Sequence, residues 1–309
     1  QKMSNSKKNY PDPMLIVDKY GADALRHYLM SSQAVKAEDL RFSEKGVDEV
    51  VKKVINRLLN VVSFYEMYAD GSVVASASSS NILDKWIISR LNELVAGVTD
   101  GLESYELDRA ARPIEDFIDD LSTWYLRRSR DRFKGQDMAD KNAALATTRF
   151  ALIECAKTIA PFMPFVAEDI YQRVAGKTAA GSVHLEMWPA GGKIDNDVLA
   201  DMDSLRKIIE VALALRSHKK VGTRQPLGEL IYEITVKRKD ISSKMFPLIE
   251  EEVNVKKVSS KKIDKNPQAS ILEENGWLYI DSGGVKLALD FNLTPELKQE
   301  GELRELLRK

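Results

Sequence analysis

The stretch Val47-Asp48-Glu49-Val50-Val51-Lys52-Lys53-Val54-Ile55-Asn56-Arg57-Leu58-Leu59-Asn60-Val61-Val62-Ser63-Phe64-Tyr65-Glu66-Met67-Tyr68 decides the architecture. Val47, Val51, Val54, Leu58, Val61, Tyr65 and Tyr68 recur at alternating spacings of four and three. That period lays one apolar seam along a helix and calls for neighbours to bury it. It predicts a long helix over about 45 to 68.

Working outward, the chain supplies those neighbours. Residues 71 to 80, rich in Ser and Ala, read as a loop. A helix follows from about Asn81, with Leu83, Ile87, Leu91, Leu94 and Val98 on one face. Asp108 opens another, with Ile114, Phe117, Ile118, Leu121 and Tyr125 sharing a face. A fourth spans about 141 to 175, where Leu145, Leu152, Ile159 and Val166 repeat and Cys155 and Phe162 lie beside them. Pro161 and Pro164 should kink or split it, because proline lacks the amide donor a helix interior needs. Residues 182 to 189 read as an irregular connection. A fifth helix, about 197 to 218, turns Val198, Met202, Leu205, Ile209 and Ala212 inward. Residues 45 to 218 therefore read as an antiparallel bundle.

The period changes after Gln225-Pro226. Leu230, Tyr232, Ile234 and Val236 alternate as in a strand, and Val253, Val255 and Val258 suggest another. Trp277 to Ile280, then Gly283-Gly284, then Val285, Leu287 and Leu289 read as a hairpin. Thr294-Pro295 starts a terminal helix. On the other side of the seam, Asp12-Pro13 opens a short helix that Gly21 ends. Residues 22 to 31 make a second, and 39 to 42 an extended link. The expected fold is mainly α: short connecting helices over 1–44, a helical bundle over 45–227 and a small α+β domain over 228–309.

Bulk composition narrows the function classes. The chain has 309 residues, 44% apolar and 30% charged, with a formal net charge of -1. A nucleic-acid surface must therefore be local. The single cysteine, Cys155, excludes an internal disulfide framework and a Cys-based zinc site, and its place on an apolar face makes it a core thiol. No run of about 18 apolar residues occurs, and no apolar signal region opens the chain. No membrane association and a reducing, cytoplasmic setting are expected. A chain that opens on Gln1 is expected to be part of a longer product.

Two stretches can carry chemistry. In Trp124-Tyr125-Leu126-Arg127-Arg128-Ser129-Arg130-Asp131-Arg132-Phe133-Lys134, placing Tyr125 toward the core sends Arg127, Arg130 and Lys134 to the solvent face. Arg128 and Arg132 then fall on the core side. The outward set can meet phosphates, and the inward pair suits bracing against buried carboxylates or aromatic rings. An equally good reading is that these arginines complement the helix dipole, mirrored by Glu115, Asp116, Asp119 and Asp120 upstream. A second basic cluster comprises His218, Lys219, Lys220 and Arg224, near Gln225. A third, with Lys256, Lys257, Lys261 and Lys262, reads as a solvated face. His27, His184 and His218 are isolated and lack metal-ligand spacing, so no metal site is expected.

The opening segment Lys2-Met3-Ser4-Asn5-Ser6-Lys7-Lys8-Asn9 carries three lysines and two serines with no apolar period. By composition it is a frayed terminus or a cationic loop able to close over phosphates. Lys2-Met3-Ser4-Asn5-Ser6 resembles the Lys-Met-Ser-Lys-Ser signature of class I aminoacyl-tRNA synthetases. Further stretches resemble the isoleucyl branch of that family: 7–13, 20–26, Leu40-Arg41-Phe42, 124–130, Arg224-Gln225-Pro226-Leu227, 254–258 and Leu293-Thr294-Pro295-Glu296-Leu297. The valine and leucine enzymes usually follow the signature with Gly-Asn, where this chain has Lys8-Asn9.

The resemblance implies the end of a catalytic domain followed by an anticodon-binding bundle. It implies an intact enzyme, a monomer, that activates isoleucine with ATP and Mg2+ and esterifies tRNA(Ile). Lys2, Ser4 and Ser6 would be catalytic, and Lys2, Met3, Ser4, Asn5, Ser6 and Lys7 would bind ATP. Arg127, Arg130, Lys134, Lys219, Lys220 and Arg224 would bind tRNA. This portion would bind no cofactor alone and would not be active, since the nucleotide-binding sheet, its His-x-Gly-His motif and the editing domain are absent from the sequence. Asn5 departs from the family pattern, and Lys7 or Lys8 would cover for the missing lysine. The alternatives are the matching part of a valyl- or leucyl-type synthetase, or a helical scaffold that binds protein rather than RNA.

Overall fold

The computed structural model describes residues 12–176, 180–236, 240–265 and 271–306. The chain divides into two compact units, Gln1–Asp195 and Asn196–Lys309. The fold is mainly α with a small five-stranded sheet in the second unit. Among the described residues no helix is long and apolar enough to cross a membrane.

The first unit is helical. Asp12 accepts a hydrogen bond from the Met14 amide at 2.9 Å and caps α1 (Pro13–Tyr20). Gly21, at φ +86°, ends α1 and starts α2 (Ala22–Met30), a conformation that favours glycine. Ser43 caps α3 (Glu44–Val50), which runs through a π turn, Val51–Ile55, into α4 (Asn56–Tyr68). The wide turn shifts the predicted seam. Val51 is only half-buried, while Ile55 and Val62 join Val47, Val54, Leu58, Val61 and Tyr65 in the core.

Asn81 caps α5 (Ile82–Glu103), whose apolar face is buried as its period predicts. Where one helix was expected from Asp108, the chain forms α6 (Leu107–Ala111), α7 (Pro113–Asp119), a second π turn (Asp120–Leu126) and α8 (Arg127–Lys134). Gly101 lets α5 and α6 approach closely. A Cβ there would lie 2.8 Å from that of Ala110. The predicted helix over 141–175 splits into α9 (Met138–Ile159) and α10 (Pro164–Val174), with Pro164 restarting it. The restart rotates the apolar stripe, so Ala167 and Ile170 are buried where Val166 was expected. Cys155 is fully buried in α9.

In the second unit α11 (Asn196–His218) packs against α12 (Phe246–Val253) and β5 (Val285–Asp290). This packing starts the unit at Asn196, whereas the change of period placed the boundary at 227/228. The sheet runs in the order β2-β1-β5-β4-β3, with β1 (Leu227–Ile234), β2 (Val255–Ser260), β3 (Leu272–Glu274) and β4 (Trp277–Ser282). β1 and β2 are parallel, joined through α12, and the other pairs are antiparallel. Gly283 and Gly284, at φ +61° and +82°, make the tight β4–β5 turn that the sequence predicts. Val253 closes α12 rather than opening a strand, and Asn254, at φ +54°, turns the chain into β2. Helix α13 (Pro295–Leu306) follows the sheet.

Candidate nucleic-acid interface

Helix α8 sorts its cations by face. Arg132 points inward and is half-buried. Its Nη1 and Nη2 donate to the two carboxylate oxygens of Asp84 at 2.7 and 2.9 Å, and its Nε donates to Asp140 at 2.9 Å. Asp84 is wholly buried in the first turn of α5. Its oxygens also accept from the Tyr125 hydroxyl at 2.8 Å and the Ser79 hydroxyl at 2.6 Å. Burial alone would weaken the charge on Arg132, but the bonds to Asp84 and Asp140 outweigh it and hold the guanidinium above its ordinary pKa. The Tyr125 hydroxyl is pushed well up, by burial first and then by the Asp84 carboxylate. This cluster ties α8 to α5 and α9, with the Arg132 charge matched by a carboxylate on each.

The opposite face of α8 is open. Arg127, Arg130 and Lys134 are exposed, as the sequence predicts. Arg127 donates from Nε to the Thr123 carbonyl at 2.9 Å and lies 5.9 Å from the Trp124 ring centroid. Arg130 lies 6.0 Å from the Phe64 ring. Phe64 in turn meets Phe133 edge-on at 5.2 Å. Both arginine planes are thus steadied by rings, with their outer edges left toward solvent.

The second cluster belongs to the other unit. Lys219 pairs with Glu273 at 2.6 Å, and Arg224 with Glu305 at 3.2 Å. Lys220 is exposed and forms no ion pair among the described residues. It sits at φ +56° just past the end of α11. There its amide donates to Ser217 and that of Val221 to Arg216, the paired bonds of a left-handed helix stop. Glycine is the usual occupant of such a stop.

Sequence reasoning missed Arg216. It is 1% exposed and bonds three backbone carbonyls, those of Gly222, Gln225 and Asn254, each at 2.9 Å. Burial lowers its pKa to about 10. The signal was available, because Arg216 falls four residues after Ala212 on the inward stripe of α11. The third cluster is paired throughout: Lys256 with Glu300, Lys257 and Lys261 with Glu229, and Lys262 with Asp264. Lys2, Met3, Ser4, Asn5, Ser6 and Lys7 lie outside the described residues. The Cys155 thiol is pushed up to about 12 by burial, which makes it inert as a nucleophile. Among the described residues no group of His, Cys, Asp and Glu could hold a metal ion.

Comparison with known proteins decides the family. Residues 84–232 match the anticodon-binding domain of tRNA ligase, and residues 1–41 match the class I tRNA synthetases for I, L, M and V. The isoleucine–tRNA ligase of Chlamydia trachomatis serovar D is 44% identical over 264 residues, 83% of this chain and 26% of that one. The chain belongs to the class I tRNA synthetases. Two further isoleucine–tRNA ligases are each 41% identical: that of Chlamydia caviae covers 83% of this chain and 26% of its own, and that of Chlamydia pneumoniae 83% and 25%. The synthetase chain spans about a quarter of the length of these relatives. A leucyl synthetase chain from a ternary complex of Agrobacterium radiobacter K84 overlaps at a TM-score of 0.46 and 20% identity, over 64% of this chain and 23% of that one. That likeness is too loose to add weight. The anticodon-domain match opens at Asp84, the carboxylate that anchors Arg132, and ends at Tyr232 in β1.

Proposed function

We propose that this chain is the tRNA-binding portion of an isoleucine–tRNA ligase. The observation that carries the reading is the division of cations on α8 within an anticodon-binding domain. Arg132 is neutralised inside by Asp84 and Asp140, while Arg127, Arg130 and Lys134 stand exposed on one flank. Exposed arginines steadied by rings suit phosphate oxygens, which accept the planar, paired donors of guanidinium. The names of the relatives favour isoleucine over valine or leucine.

In the intact enzyme, a cytoplasmic monomer in this reading, isoleucine reacts with ATP to give the adenylate and then passes to tRNA(Ile). Mg2+ accompanies ATP as its counter-ion. Lys2, with Ser4 and Ser6, would stabilise charge developing on the pyrophosphate leaving group, and Met3, Asn5 and Lys7 would complete the ATP loop. Lys7 or Lys8 would compensate for Asn5.

Filter binding of tRNA(Ile) to the 309-residue chain at low salt tests the reading. Binding is expected, with tRNA(Ile) preferred over a valine or leucine tRNA. No binding at low salt would favour the alternative of a protein-binding helical scaffold.

A further inference from the structure

We propose that the turn Gly222-Thr223-Arg224 is a phosphate-binding turn, held in shape by the buried Arg216 and by Asn254, and that its ligand is a backbone phosphate of tRNA. The identity of the ligand rests on the tRNA-binding reading above. The turn itself stands on its own hydrogen bonds.

Four consecutive carbonyls are held by side chains behind the turn. Gly222 and Gln225 accept from the two terminal nitrogens of Arg216 at 2.9 Å each. Thr223 and Arg224 accept from the Asn254 side-chain amide at 2.8 and 3.1 Å. With the carbonyls occupied, the amides of Gly222, Thr223 and Arg224 meet no acceptor among the described residues, and all three residues are exposed. Successive unpaired amides on an exposed turn are an anion receiver. The Thr223 hydroxyl and the Arg224 and Lys220 side chains stand on the same short segment.

Electrostatics support the same ligand. No carboxylate bonds Arg216 among the described residues, and its Nε has no partner there. Neutral carbonyls bond its two terminal nitrogens without cancelling its charge, so a positive centre persists directly behind the turn at neutral pH. Asn254 is itself pinned, since its Oδ1 accepts from Arg304 at 2.8 Å. The Arg224–Glu305 pair is exposed, so it contributes little and exchanges readily for a phosphate.

The experiment has two arms on the isotope-labelled 309-residue chain. Inorganic phosphate is titrated at constant ionic strength while the backbone amides are followed by NMR, and tRNA(Ile) binding is measured for variants. Phosphate should shift the amides of Gly222, Thr223 and Arg224, and tRNA(Ile) should shift the same three and displace phosphate. Glu305→Gln should tighten tRNA binding about twofold by releasing Arg224, and Arg224→Ala should weaken it about fivefold. Asn254→Gly keeps a backbone angle that glycine accepts while removing both bonds to the turn and the one from Arg304, and should weaken binding about threefold with the fold intact. The proposal is overturned if tRNA binds while these amides ignore both probes and Glu305→Gln changes nothing. If phosphate shifts the amides but tRNA neither binds nor displaces it, the turn stands as an anion site and its assignment to tRNA falls.

Discussion

Arg132 in the helical unit and Arg216 in the sheet-bearing unit are both drawn into the protein, but they are answered differently. Arg132 meets two carboxylates, Asp84 and Asp140, so its charge is cancelled where it lies. Arg216 meets only carbonyls, which bond its two terminal nitrogens but leave its charge uncancelled. The first arrangement is a brace between helices. The second shapes a loop and leaves a positive centre beneath it. Burial of a cation alone does not reveal its role; the nature of its acceptors does.

The sharpest way to break this contrast is to remove each cation in turn. Arg132→Met leaves Asp84 buried and unpaired and should cost about 3–5 kcal/mol in urea unfolding. Next in size is an acid effect in the helical unit, where His27 on α2 is buried and pushed down to about 4 by desolvation. Its folded pKa lies below its unfolded value of 6.5. Its contribution is therefore complete above pH 6.5 and is lost as pH falls through about 4, up to about 3 kcal/mol. His27→Leu should flatten that part of the stability–pH curve.

Arg216→Met should cost about 1–3 kcal/mol, because the carbonyls it abandons include that of the exposed Gly222, which can turn to water. A loss equal to that of Arg132→Met would erase the distinction. The smallest effect should be a gain. Lys220→Gly relieves a left-handed lysine and should raise stability by about 1 kcal/mol in thermal or urea unfolding. It should also weaken tRNA binding, which would mark Lys220 as held in strain for its charge.

The same contrast explains what the sequence discloses. The 4-3 seam of Val47 to Tyr65 and the alternation at Leu230 and Tyr232 announce bundle and sheet, because burial on one face leaves a period. The outward set on α8 and the inward Arg132 follow from the regular turn of a helix, about 100° per residue. What periodicity cannot show is a local change of pitch. The π turn at Val51–Ile55 shifts the seam, and neither it nor the one at Asp120–Leu126 contains a proline or glycine to signal it. Helix α12 was hidden because Val253 and Val255 share an apolar look on either side of Asn254. Arg216 sat in plain sight on an apolar stripe, but its acceptors come from residues 222, 225 and 254, and such long-range carbonyl bonds leave no mark in the sequence.

The central claim is that α8 reserves its outward cations for phosphate while its inward one holds the fold. The most direct test is the salt dependence of tRNA(Ile) binding by the Arg127→Ala/Arg130→Ala double variant. Removing one cation from a phosphate should reduce the slope of log affinity against log salt by about one. The double variant should therefore show a slope shallower by about two units and keep its melting temperature. An unchanged slope in a fully folded double variant would contradict the account.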